Sequence, residues 1–247
     1  MPGSLSTNPS LTRAFLEWWQ GQVRRRGARE AARTLLSELR DFVVDSTPER
    51  RRQRYGDAGY DWDYRVDTTS ATVSFRDRLL GVFHHAYQPT EPGPFHEMIA
   101  ELPIDHRDFI FIDLGCGKGR TLLMASDYAF QKIVGVELLP TLVEIARANI
   151  TKYAGEREPQ CPTIEVIQDD ARNYSFPAQP IIVYLFHPFP EPVLEAVLAN
   201  LDDSVRRQPR PAYVIYHNPV LEHVLQGQRN WRRISRTEHW AIYRDRP

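Results

Sequence analysis

The chain has 247 residues and sets 31 Lys and Arg against 32 Asp and Glu, a formal net charge of −1. That balance excludes the basic excess of a general nucleic-acid-coating protein, and 42% hydrophobic with 11% aromatic residues excludes a disordered chain. Two cysteines, Cys116 and Cys161, exclude a disulfide framework and a cysteine-rich zinc site.

The N-terminus shows no apolar stretch after a basic start, so no signal peptide is expected. No apolar run approaches the roughly 18 to 20 residues of a membrane-spanning helix, and a cytoplasmic protein without membrane contact is expected. Leu11, Phe15, Trp18, Trp19 and Val23 repeat at helical spacing. After Gly27 the pattern resumes with Ala31, Ala32, Leu35, Leu36, Leu39, Phe42 and Val43. The stretch 47–64 is polar, Arg-rich and carries Gly56 and Gly59, which predicts a loop. Its arginines 50, 51, 52 and 54 read as a solvated charge run, with a bound anion as the alternative.

From Phe109 the texture changes. Short apolar runs predict strands at 109–115, 133–138, 163–167, 181–186 and 212–216, with helices at 119–129, 141–153 and 191–201 between them. Two more strands are expected at 231–236 and 239–243. Continuous apolar strands alternating with amphipathic helices predict an α/β fold: a doubly wound, mostly parallel seven-stranded sheet with an N-terminal helical extension. The expected organisation is 1–60 as helical extension and Arg-rich loop, 61–108 as a segment covering the site, and 109–247 as the sheet domain.

The chemistry begins where the first strand meets FIDLGCGKGR. Glycine is needed where backbone bends sharply and where a ligand presses on the main chain, and here Gly115, Gly117 and Gly119 fall at alternate positions. Glu137 closes the next strand, placed to accept from both hydroxyls of a ribose. Asp169 and Asp170 follow the third strand, within reach of an adenine amino group. The third glycine comes one place too early for the dinucleotide fingerprint, and no phosphate-binding P-loop string exists, so a nicotinamide-dependent oxidoreductase is the disfavoured rival.

These residues resemble the class I S-adenosylmethionine-dependent methyltransferases, over roughly 109–217. FIDLGCGKGR is similar to the family's first motif, VGVE to its second and QDDA to its third. The resemblance implies S-adenosylmethionine as cofactor and S-adenosylhomocysteine as product. It implies that Asp113 and the backbone of Gly115, Cys116, Gly117 and Gly119 face the methionine part, that Glu137 with Leu138 holds the ribose side, and that Asp170 and Ala171 meet the adenine. His187-Pro188-Phe189-Pro190 falls where the family places residues beside the transferred methyl, which makes His187 and Phe189 the candidate catalytic residues. It departs from the amino-group methyltransferase motif, with His187 in place of Asn or Asp and Phe189 in place of the second proline. Segments around Asp67, Thr68, Tyr87 and Thr90 resemble those preceding the first motif in a bacterial group, and would cover the cofactor's amino-acid end.

Methyl transfer from a sulfonium needs positioning more than acid-base work. His187 and His217 both follow strand ends and are candidates for a base, with His217 read as structural and Tyr184 as core. No metal site is expected, since the histidines lack ligand spacing with any carboxylate or cysteine cluster. The expected acceptor is a small molecule, with a protein acceptor as alternative. The N-terminal helices are expected to contribute to the acceptor pocket or to a homodimer contact. A non-catalytic cofactor-binding subunit of the same fold is the remaining rival.

Overall fold

The computed structural model describes residues 58–69, 89–186 and 189–246, with residues 16, 19–20, 23–24, 27–33 and 35–36. The chain divides into two units: Met1–Gly56 with Ser70–Tyr87, and Asp57–Thr69 with Gln88–Pro247. The expected boundary at residue 60 falls inside a segment that belongs to the second unit. In the first unit the described residues 28–33 are helical. Trp18, Phe42, arginines 50, 51, 52 and 54, Tyr87 and His187 lie outside the described residues.

The second unit runs α1 (Ala58–Tyr64), α2 (Pro92–Ala100), β1 (Ile110–Leu114), α3 (Arg120–Ala125), β2 (Lys132–Glu137), α4 (Pro140–Glu156), β3 (Ile164–Gln168), β4 (Ile181–Phe186), α5 (Glu191–Arg207), β5 (Ala212–His217), α6 (Glu222–Gln226), β6 (Trp231–Arg236) and β7 (Trp240–Asp245). The seven strands form one sheet in the order β3-β2-β1-β4-β5-β7-β6. β1 to β5 are parallel, and β7 pairs antiparallel with both β5 and β6. Every predicted strand is present. Chain order reverses between β1 and β4, the switch point at which open sheets of this kind leave a crevice at the carboxyl ends of their strands.

The core lies on both faces of the sheet, as continuous apolar strands require. Ile112, Val134, Val183 and Val214 pack with Leu194 and Leu198 of α5 on one face. Phe111, Ile133, Ile182 and Ile215 pack with Phe95 and Met98 of α2 and Leu122 of α3 on the other. Two expectations are corrected. The loop predicted over 47–64 contains helix α1: Tyr60 and Tyr64 stand one turn apart, their rings 4.7 Å from each other, and Tyr64 lies 5.1 Å from Tyr153. Burial of this aromatic face overrides the helix-breaking tendency of Gly59 and the aspartates. The helix predicted over 119–129 stops at Ala125. There Ser126 Oγ donates to the Leu123 carbonyl, while the Ser126 carbonyl accepts from the amides of Gln160 and Cys161.

Gly135, in the middle of β2, ties the sheet to the turn above it. A Cβ at this position would stand 2.6 Å from both Cys116 Sγ and Leu122 Cδ1. Relieving that overlap requires the packed Cys116 and Leu122 side chains to shift, with Cys116 Cβ also close at 3.1 Å. Gly135→Ala is therefore expected to destabilise the fold by about 1–3 kcal/mol, the range for overpacking a filled core. A chemical-denaturation midpoint equal to that of the parent would show that the turn yields freely.

Candidate functional site

β1 ends in a turn whose three alternate glycines all adopt the left-handed region: Gly115 at φ 86°, Gly117 at φ 54° and Gly119 at φ 83°. Side chains with a Cβ are strained there, so glycine at these places is a backbone requirement. The amides of Gly115 and Cys116 both donate to the Val136 carbonyl (2.8 and 3.2 Å), which folds the turn over the end of β2. Gly119 is the N-cap of α3, and a Cβ on it would meet Ala146 Cβ of α4 at 3.2 Å. Of the three glycines Gly115 is exposed, while Gly117 and Gly119 are buried, Gly119 against α4.

Two buried carboxylates flank this turn. Glu137, at the end of β2, accepts from the Gly117 amide (3.0 Å) and the Leu139 amide (2.9 Å). Burial raises its pKa and these backbone donors pull it back. Asp113, at the end of β1, accepts from the Thr121 hydroxyl. Its pKa is pushed up to about 7, by burial first and by the Glu137 charge, against the Thr121 hydrogen bond. Leu138 beside Glu137 is 44% exposed. After β3, Asp169 Oδ1 accepts from the Asp170 amide, and Asp170 takes Arg172 Nε and its terminal nitrogen, which holds its pKa low. Ala171 is buried in the core behind them.

At the ends of β4 and β5, Thr90 Oγ1 and the Tyr184 hydroxyl share a hydrogen bond of 2.8 Å, and Tyr184 shares another of 2.8 Å with His217 Nδ1. Tyr184 pairs in register with Asp113, and His217 stacks on Phe186 with centroids 4.1 Å apart. Burial and the neighbouring His239 push the His217 pKa down to about 4, so its imidazole is neutral at pH 7 and a weak base. Phe189 packs against the core on the α5 side of the sheet. Among the described residues no group of three His, Cys, Asp or Glu is arranged to hold a metal ion.

Sequence reasoning named Asp67 and Thr68 in a covering segment but missed how the strap formed by 58–69 grips the glycine turn. Lys118 Nζ reaches Asp67 Oδ1 at 2.6 Å, and Arg120 Nε donates to Thr68 Oγ1 at 2.6 Å. The Arg120 guanidinium also donates to Asp61 (3.2 Å) and lies 4.8 Å from the Tyr60 ring centre. Asp67 and Thr68, expected over the cofactor's amino-acid end, hydrogen-bond the Lys118 and Arg120 side chains of the glycine turn. The one available signal was local: Lys118 is one of three lysines in the chain and sits between two of the glycines. A separate cavity of about 520 Å³, lined by Arg206, Arg210, Pro211, Trp231 and Arg244 among others, opens at the amino end of β5, far from this turn.

Residues 111–208, from β1 through α5, match the family described as a methyltransferase domain. A curated protein-lysine N-methyltransferase from Saccharolobus islandicus (strain REY15A) is 36% identical over 70 residues, 28% of this chain and 43% of that protein. The chain thus spans less than half the length of this curated relative. Among solved structures, an RNA methyltransferase from Salinibacter ruber in complex with S-adenosyl-L-homocysteine has a TM-score of 0.40 at 21% identity, over 63% of this chain and 91% of its own. A predicted N6-adenine-specific DNA methylase from Listeria monocytogenes str. 4b F2365 has a TM-score of 0.48 at 15% identity, over 64% and 51%. The family match contains the left-handed glycine turn, Glu137 and Asp170, all following the carboxyl ends of parallel strands. Residues 111–208, about two fifths of the chain, are thus similar to a methyltransferase domain.

Proposed function

We propose that the chain transfers a methyl group from S-adenosylmethionine to a small-molecule acceptor by in-line displacement. The observation that carries this reading is the cradle at the end of β1: three left-handed glycines whose amides border two buried carboxylates. The donor set fits a ligand with a cationic amino-acid end and a ribose. Asp113 would face the ammonium, Glu137 would accept from the ribose hydroxyls, and Leu138, Asp170 and Ala171 would border the adenine. When bound, S-adenosylmethionine supplies a methyl group already activated on a sulfonium. The remaining work of the chain's residues is to hold the acceptor in line and keep water out. His187 and Phe189 are the residues proposed beside the acceptor.

A small acceptor is supported by the near-zero net charge and by the stacked Phe186–His217 pair, which offers an apolar wall at the ends of β4 and β5. A protein amine is the second reading, favoured by the curated relative. A screen with methyl-labelled cofactor across small molecules and peptides separates the two, and label appearing only in peptides would overturn the small-molecule reading.

Glu137→Ala is expected to weaken S-adenosylhomocysteine binding by roughly 1.5–3 kcal/mol, as for loss of charge-assisted hydrogen bonds. Titration calorimetry measures it. Because Glu137 also caps the Gly117 and Leu139 amides, Glu137→Gln serves as the folding control. Unchanged affinity in Glu137→Ala would remove this residue from the site. Binding of NADH in place of S-adenosylhomocysteine would overturn the cofactor assignment.

A further inference from the structure

We infer that Asp67 is a positioning residue for the cofactor turn, acting through Lys118 from a strap that is otherwise remote from the motifs. The inference rests on the cofactor reading above. A turn with glycine at every second position has no side chains of its own at those places to hold its shape. Its geometry must come from the residues between them. Cys116 points down, into the space left by Gly135. Lys118 and Arg120 point sideways, and both end on the strap.

The Lys118 ammonium is buried, with a side chain 7% exposed, and its carboxylate partner Asp67 stands at the surface at 56%. Asn149 of α4 completes the connection. Its Oδ1 accepts from the Asp67 amide at 2.8 Å, and its Nδ2 donates to the Asp67 carbonyl at 2.7 Å and to the Lys118 carbonyl at 3.0 Å. The buried Asn149 amide therefore holds the main chain of the strap and of the glycine turn in one grip, and the ion pair sets the distance between them. One residue further on, Arg120 fastens the same strap through Thr68 and Asp61. The strap itself is shaped for this: Arg65 takes a left-handed conformation (φ 53°), and Val66 and Thr68 are buried.

Chain order adds a reason for the arrangement. The segment 57–69 belongs to the cofactor-binding unit, whereas the residues on either side of it, to Gly56 and from Ser70, belong to the other. The grip of this segment on the glycine turn is therefore a contact within one unit. Removing the Asp67 charge leaves Lys118 without its carboxylate and lets the amides of 117–119 depart from the geometry that a bound ligand needs. Small displacements of positioning groups are expensive in affinity.

The test is titration of S-adenosylhomocysteine into the full chain for the parent, Asp67→Asn, Asp67→Glu, Lys118→Met and the Asp67→Asn/Lys118→Met double variant, with a thermal melt of each. Asp67→Asn is expected to weaken binding roughly tenfold while the melting temperature stays near the parent's. The double variant is expected to bind as Lys118→Met does, because the two residues act as one unit. Hydrogen exchange of residues 115–120 is expected to quicken in Asp67→Asn without ligand. Asp67→Glu, which keeps the charge, is expected to recover most of the affinity and provides the measurement should Asp67→Asn fold poorly. Parent-like affinity in Asp67→Asn, additive losses in the double variant, or no recovery in Asp67→Glu overturns the inference while leaving the cofactor reading intact. A parent chain that fails to bind S-adenosylhomocysteine overturns both.

Discussion

Asp113→Asn is expected to stabilise the ligand-free protein at pH 8 while abolishing most of its affinity for S-adenosylhomocysteine. Asp113 is 3% exposed, and its pKa is pushed from 3.8 up to about 7 in the folded state. Between those values the folded chain holds a proton that the unfolded chain has released. Stability therefore falls as pH rises from about 4 to about 7, and above that window the whole penalty is present. A rise of about three pKa units corresponds to on the order of 4 kcal/mol. Asparagine is neutral throughout and keeps an oxygen for the Thr121 hydroxyl, so it removes the penalty without emptying the space. Denaturation of parent and variant at pH 5 and pH 8 measures the effect. A stability difference between them that does not grow with pH would show that the carboxylate is not strained. Such strain would be relieved by a cationic group, and under the proposed function the ammonium of the cofactor is that group. Active sites commonly hold such locally unfavourable charges in reserve for a ligand.

Arg120→Met is expected to cost the fold about 3–5 kcal/mol, the scale for removing one partner of a buried ion pair. Arg120 is 1% exposed, and its partners Asp61 and Thr68 both lie in the strap. Methionine fills the volume of the stem and leaves the Asp61 carboxylate, whose side chain is 13% exposed, without its guanidinium. That carboxylate still accepts from the Thr68 and Thr69 amides, which places the loss at the lower end of the range. Urea unfolding reads the change, and the Asp61→Asn/Arg120→Met double variant is expected to recover part of it. A loss below about 1 kcal/mol would show that the strap is held by its aromatic contacts and not by the buried charge.

The two effects differ in where their causes can be read. Asp113 was identifiable from its place in FIDLGCGKGR, but nothing in that string states its ionisation. The raised pKa comes from burial beneath the sheet's own helices and from the Glu137 charge at the end of the next strand. Arg120 was visible only as the last residue of FIDLGCGKGR. Its role needed the strap. Phe189 was placed beside the methyl position by the resemblance, and the structure shows its side chain partly buried against the core. His217, read as structural, is held by Tyr184 and Phe186 and titrates far below neutrality. The strand positions agreed to within a residue or two, whereas the helix after the glycine turn was expected too long and α1 was expected as loop.

Sequence by itself determined the alternation of strands and helices, the glycine turn and the identity of its acidic neighbours. Each of these is a local property: a strand buried on both faces must be continuously apolar, and a left-handed backbone position favours glycine whatever surrounds it. Tertiary structure alone decided what grips the turn and how its carboxylates ionise. Lys118 meets Asp67 across 51 positions, and Asp67 meets Asn149 across 82. No periodicity announces such pairs, since each depends on two distant segments being packed together, and the same packing removes the water that would otherwise have set the charge on Asp113.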